Sequence, residues 1–308
     1  MNLDFCVGHD HIQRYLEQSV LTGKLPHAIL FYGDSGIGKS KVAHRLARYI
    51  LAHESASPSL MPLEPLYVAQ DSYHGNLVVN RAHPDLNVIE LGEVRTISVD
   101  KVRAAVQLLR VKPALGRWRV IIVDDVHAMT RQAANSLLKI LEDPPSHAIF
   151  ILVAHGNVLP TIRSRCCIVP FQPLVTEGLQ RVLKHLQQGE LSHDQIEAAQ
   201  GQVSLALQLV SDIGQQVWQA LENTQKGGAS SGVAFAQQFA DSIPSVGEVC
   251  LAWIAAQARR VLGHVQEARH WAEVWGQVRV LFMQYHQSNL DATATLYQAY
   301  NLCKNPRQ

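Results

Sequence analysis

The run Gly33-Asp34-Ser35-Gly36-Ile37-Gly38-Lys39-Ser40 has the residue types and spacing of a phosphate-binding loop. Gly33, Gly36 and Gly38 let backbone N–H groups curl toward phosphate oxygens, Lys39 adds a point charge, and Ser40 offers a hydroxyl to Mg²⁺. An apolar run, Val120-Ile121-Ile122-Val123, ends in Asp124-Asp125. A carboxylate at the end of a buried strand can hold the water shell of Mg²⁺ opposite such a loop, and Asp124 is assigned that role. Asp125 stands where a nucleotide-hydrolysing protein of this kind has Glu to orient the attacking water. Asp is one methylene shorter, and a misplacement on the order of 1 Å can cost about 10²-fold in rate. Asp125 reads equally as an ordinary loop carboxylate. These residues predict ATP or ADP held with Mg²⁺ by Gly33, Gly36, Gly38, Lys39, Ser40, Asp124 and Asp125, with Ser40 and Asp124 serving the metal. Farther on, Arg163 and Arg165 follow an apolar run and a proline turn. As residues alone they read first as a solvated surface pair.

The elements that must position these groups alternate. Ala28-Ile29-Leu30-Phe31-Tyr32 is a short apolar strand leading into the glycine loop, and a helix-compatible stretch runs from Lys39 to about His53. Further strands are expected at residues 86–91, 120–123, 149–153 and 167–169. Helices are expected at 99–109 and 131–141, the second capped by Thr130 and carrying the stripe Ala133, Ala134, Leu137, Leu138 and Leu141. Short apolar strands alternating with helices imply a mostly parallel sheet covered on both faces. After Phe171-Gln172-Pro173 no strand pattern remains. Leu179, Val182, Leu183 and Leu186 repeat at helical spacing, as do Trp271, Val274, Trp275, Val278 and Phe282. The stretch Lys226-Gly227-Gly228-Ala229-Ser230-Ser231-Gly232 reads as a flexible break between helices. The expected organisation is an α/β domain at 1–172, a small helical domain at 173–212 and a helical C-terminal domain at 213–308.

Composition bounds what this architecture serves. A length of 308 residues suits two domains or three small ones. A hydrophobic fraction of 47% excludes a disordered chain, and a formal net charge of +1 excludes a strongly basic arm or acidic tail. The N-terminus lacks a basic-then-apolar signal, and apolar runs such as 148–154 fall short of the roughly 20 residues needed to span a bilayer. Cys6, Cys166, Cys167, Cys250 and Cys303 fit neither a disulfide framework nor a CxxC metal site. A cytoplasmic protein without a membrane partner is expected.

Several phrases resemble the AAA+ subunits of the bacterial clamp loader. They are Val7-Gly8-His9, the approach Leu25-Pro26-His27-Ala28-Ile29-Leu30-Phe31, Ala82-His83-Pro84-Asp85-Leu86, residues 133–145 (AANSLLKILEDPP), and Leu159-Pro160-Thr161-Ile162-Arg163-Ser164-Arg165-Cys166. They occur in the family's order over residues 7–167, while the last 140 or so residues match only in being helical. The resemblance implies an AAA+ phosphate-loop domain, a small helical lid and a helical collar that holds a ring of five subunits. It implies nucleotide at subunit interfaces, with Arg165 of the Ser-Arg-Cys motif reaching into a neighbour's ATP site as an arginine finger. The implied partners are the other clamp-loader subunits and, through the assembly, the sliding clamp and primer-template DNA.

Departures from the family pattern qualify that implication. Residues 50–84 contain no cysteine, and His53, His74 and His83 are widely spaced, so no zinc site is expected there. The sensing Thr or Ser expected after the fourth core strand is replaced by Ala154, with His155 adjacent. Ser204 occupies the place of an Arg that contacts the γ-phosphate in motor subunits. With Asp125 these make three altered hydrolysis positions around an intact cradle, and the expectation is a site that binds nucleotide but hydrolyses it poorly. Lys101, Arg103, Arg110, Lys112, Arg117 and Arg119 read either as a phosphate-contacting face or as solvated charge. Two rival readings are an active ATPase motor of the same ring, favoured by the intact Lys39, and a small-molecule kinase, for which no acceptor constellation is visible.

Overall fold

The computed structural model describes Leu3 and residues 6–53, 64–91, 96–225, 232–288 and 290–304. The predicted break at 226–232 lies outside the described residues except for Gly232, which opens a helix. The chain divides into two compact units, residues 1–173 and 174–308.

The first unit is built on α1 (Asp10–Leu21), β1 (Ala28–Tyr32), α2 (Lys39–His53), α3 (Tyr73–Val79), β2 (Leu86–Ile89), α4 (Val99–Leu108), β3 (Arg119–Val123), α5 (Arg131–Glu142), β4 (Ala148–Ala154), α6 (Pro160–Arg163) and β5 (Cys167–Pro170). The five strands form one parallel sheet in the order β2-β3-β4-β1-β5. Successive side chains on a strand point to opposite faces. Here both faces are buried, which is why the strands read as unbroken apolar runs. Ile29, Phe31, Ile122, Ile151 and Val153 pack with Leu16 of α1 and Val42 and Leu46 of α2. Leu30, Ile121, Val123, Phe150 and Leu152 pack on the other side with Val102 of α4 and Ala133, Leu137 and Leu141 of α5. Thr130 caps α5 by accepting a hydrogen bond from the Ala133 N–H at 3.2 Å. The expected α/β class with helices after it is the class observed.

Two sequence expectations are corrected. The proline turn before Arg163 and Arg165 is the short helix α6, with Pro160 in its first turn, where a fixed φ and a missing N–H cost little. Arg119 is not available to solvent: it is 6% exposed, paired with Asp85 and bonded to the carbonyls of Leu108 and Lys112.

The second unit holds α7 (Thr176–His185), α8 (His193–Ala199), α9 (Val203–Val210), α10 (Asp212–Gln225), α11 (Gly232–Phe239), α12 (Ile243–Arg260), α13 (Val265–Ser288) and α14 (Ala292–Lys304), with no strand among the described residues. Leu179 and Leu183 of α7, Leu209 of α9, Val217 of α10, Trp253 of α12, Trp271 of α13 and Tyr300 of α14 share one apolar cluster, which therefore continues across residue 212. The segment 232–260 is long and apolar enough to cross a membrane by composition. Its Val246, Val249, Cys250, Trp253 and Ile254 lie instead in this core. The five cysteines form no disulfide among the described residues.

Candidate nucleotide-binding site

The glycine loop is seated by contacts at Gly33 and Ile37. The Gly33 N–H donates to the carbonyl of Ala154 at the end of β4, at 3.3 Å. A Cβ on Gly33 would stand 2.4 Å from the carbonyl oxygen of Phe171, a backbone atom that cannot yield. His9 Nε2 lies 2.8 Å from the Ile37 carbonyl, and its ring packs edge-on against Phe171 at 4.8 Å. His9 therefore ties the loop to the start of the chain. Its role had only a family resemblance behind it in the sequence. Gly38 has φ +99, a conformation that other residues rarely adopt, and the space beside its Cα is open to 4 Å.

Lys39 and Ser40 open α2. Lys39 is 5% exposed and donates to the carbonyl of Asp34 within its own loop. Burial pulls its pKa below the ordinary lysine value, against the opposing pull of Asp124, Asp34 and Asp125. Ser40 Oγ donates to Asp124 Oδ2 at 2.6 Å, and Asp124 Oδ1 accepts the Asp125 N–H at 3.1 Å. A hydroxyl and a carboxylate this close are a donor set whose chemistry suits Mg²⁺, Ser40 by its oxygen and Asp124 through the ion's water shell.

Asp125 has φ +55, a left-handed backbone that turns the chain sharply at the strand end. Its Oδ1 lies 3.0 Å from His155 Nδ1. That hydrogen bond holds the Asp125 carboxyl below its usual range, outweighing the upward push of burial. His127 packs against His155 with ring centroids 4.0 Å apart, and burial, followed by the charge of His155, lowers its pKa. Ala154 is fully buried and offers only its carbonyl, so the side chain that meets Asp125 from the end of β4 is His155. In the sequence His155 is simply adjacent to Ala154, and its partner Asp125 lies 30 residues earlier. The signal was its place one residue beyond an apolar strand.

The remaining predicted groups have other partners in this unit or belong to the second unit. Arg165 donates to Glu142 Oε1 at 2.6 Å and to the Thr161 carbonyl at 2.9 Å, on the surface of the first unit. Arg163 stacks over the Tyr32 ring at 5.1 Å. Ser204 is exposed on α9 of the second unit. Of the basic residues considered for nucleic acid, Lys101 bonds the Glu90 carbonyl and Arg117 stacks on Trp118. His74 and His83 come within 3.1 Å of each other, whereas His53 stacks on Tyr49.

A sequence model of the family described as DNA polymerase III, delta subunit, matches residues 8–175. The DNA polymerase III subunit gamma/tau of Mycobacterium bovis is 33% identical over 194 residues, covering 62% of this chain and 32% of that protein. The tau subunit of Escherichia coli is 29% identical over 191 residues, covering 61% of this chain and 28% of its own. The chain thus spans about a third of the length of these relatives. A DNA polymerase III gamma subunit-related protein of Thermotoga maritima shares the fold, with a TM-score of 0.53 over 95% of this chain and 99% of that one, at 19% identity.

Proposed function

The chain belongs to the DNA polymerase III delta-subunit family, and we propose that it is a delta-prime-type subunit of the clamp loader. In this reading it joins gamma/tau and delta subunits in a five-membered ring, in the cytoplasm, and helps place the sliding clamp on primer-template DNA. Residues 173–212 serve as the lid and 213–308 as the collar. Gly33, Gly36, Gly38, Lys39 and Ser40 cradle ATP or ADP, and Ser40 with Asp124 holds its Mg²⁺. When bound, that ion neutralises phosphate charge. This subunit's own contribution to hydrolysis is Arg165, offered to a neighbour.

The observation that carries the reading is the pairing of Asp125 with His155. The carboxylate at the water-orienting position is short by one methylene and engaged by an imidazole, while the phosphate cradle beside it is whole. The opposite reading, a gamma/tau-type motor, draws on the likeness to gamma/tau sequences and on Lys39. Purification decides between them. The chain prepared by itself is expected to bind ATP with negligible turnover, and to co-purify at fixed stoichiometry when produced with gamma/tau and delta subunits. A turnover number of order 1 s⁻¹ for the isolated chain would make it the motor. Failure to enter the complex would remove the ring role.

A further inference from the structure

Asp125, His127 and His155 each place one ligand atom so that all three lie within 4.8 Å of one another. We propose that this trio is a binding site for a divalent transition-metal ion, with Zn²⁺ as its occupant, distinct from the Mg²⁺ held at Ser40 and Asp124. The inference does not depend on the clamp-loader reading, because it concerns metal binding by the chain without nucleotide.

The chemistry of the donors selects the ion. Two imidazoles and one carboxylate suit zinc and its first-row neighbours, whereas Mg²⁺ prefers oxygen ligands throughout. Three protein ligands with a fourth position open to water is the usual form of a reactive zinc site. Ligand atoms around a tetrahedral zinc with bonds of about 2.0–2.1 Å stand roughly 3.4 Å apart. His155 Nδ1 and Asp125 Oδ1 are already 3.0 Å apart, and the His127 ligand atom lies within 4.8 Å of both.

Two further observations fit a ligand that the protein itself does not supply. His127 Nδ1 is buried and has no hydrogen-bond partner among the described residues. Coordination through Nδ1 would give this buried atom the partner it lacks. The ring is also held in place: a Cβ on Gly156 would stand 2.6 Å from His127 Cδ2, so the backbone at 156 packs directly against it. Lys39 acts electrostatically on both Asp125 and His127, a positive charge that opposes a dication there until a bound phosphate neutralises it. Affinity should therefore rise with ADP present.

The test is a titration of the chelator-stripped full chain with Zn²⁺ by calorimetry and with Co²⁺ by visible spectroscopy. One equivalent should bind, with the intense visible bands of a four-coordinate cobalt site. His127→Ala and His155→Ala should each weaken binding by more than about 100-fold, since even changes to groups behind the ligands cost 10–100-fold. His155→Gln, which keeps a polar partner for Asp125, guards against misfolding and should abolish the cobalt bands while leaving the circular dichroism unchanged. His74→Ala should leave binding intact. No stoichiometric binding overturns the proposal, as does binding unchanged by the His127 and His155 substitutions. Binding lost with His74→Ala instead would place the ion at the His74–His83 pair and overturn it equally.

Discussion

Lys39 shows how a single side chain can be both enclosed and poised. Its ammonium is bonded to its own loop carbonyl, lies under the influence of three carboxylates, and is largely removed from water. Such a charge is costly to bury unless a stronger anion is due at the same place. In the proposed function phosphate would be that anion, and the space beside Gly38 is open to 4 Å. Lys39→Ala is therefore expected to weaken ATP and ADP binding by about 1.5–3 kcal/mol, the worth of a charge-assisted hydrogen bond. That corresponds to roughly 10- to 150-fold in Kd, measurable by calorimetry. Equal affinities before and after the change would show that the loop does not hold phosphate through this residue. Lys39→Met, which retains most of the aliphatic stem, separates loss of charge from loss of packing.

At the scale of elements, the edge of the sheet depends on Asp85, which precedes β2 and is fully buried. Its carboxylate accepts the N–H groups of Ala114 and Leu115 at 2.7 and 2.8 Å and pairs with Arg119 at 3.1 Å. Arg119 in turn bonds the carbonyls of Leu108 and Lys112, so one ion pair ties the end of α4 and the following loop to the start of β3. Burial pushes the Asp85 pKa up, but the two N–H groups and Arg119 more than offset it, leaving it below the ordinary value. The folded state then binds the proton less readily than the unfolded chain, whose Asp titrates near 3.9. The stabilisation is fully present above about pH 4 and is lost as pH falls through the folded value. Asp85→Ala should cost about 3–5 kcal/mol in denaturant unfolding, because it strands a buried guanidinium. The stability gap between the natural chain and Asp85→Asn should narrow on going from about pH 6 to about pH 3; a constant gap would show that this carboxylate is not linked to folding. The same residues mark the limit of what the sequence discloses. Strands β1, β3 and β4 were legible because burial on both faces leaves an unbroken apolar run, and α5 because Thr130 and its stripe announce it. Arg119 was not, since a charge at a strand start acquires its meaning only from a partner 34 residues away. His155 meets Asp125 through the parallel register that sets Val123 beside Leu152, a pairing that neither segment encodes by itself. Helices α1 and α3 are less legible, because α1 has no side-chain cap and α3 is seven residues long with Gly75 inside it.

For the whole molecule, the decisive residue is one whose contacts inside the chain are weak. Arg165 is held by Glu142 at 2.6 Å, with the two side chains 35% and 53% exposed. An exposed pair of this kind contributes about 0–1 kcal/mol and is readily exchanged for a phosphate oxygen. Arg163 differs, for it lies over Tyr32 in a cation–π contact worth about 0.5–1 kcal/mol at such sites. An extended segment would have set the two guanidiniums on one face; α6 gives them separate partners instead. Arg165→Ala should therefore leave the isolated chain's unfolding within about 1 kcal/mol and its nucleotide affinity unchanged. The loss should emerge only in the reconstituted complex, as steady-state ATPase measured with clamp and primed DNA present. An arginine finger can be worth 10³–10⁵ in rate at the site it serves, so the neighbour's share of turnover should disappear. Lys at this position should rescue poorly, because an ammonium lacks the planar fork of donors that engages phosphate oxygens. Arg163→Ala should do the reverse, lowering the stability of the first unit slightly while sparing the rate of the assembly. If Arg165→Ala leaves the complex's ATPase and clamp loading unchanged, the proposed trans-acting role falls and only a structural part in the proposed ring is left.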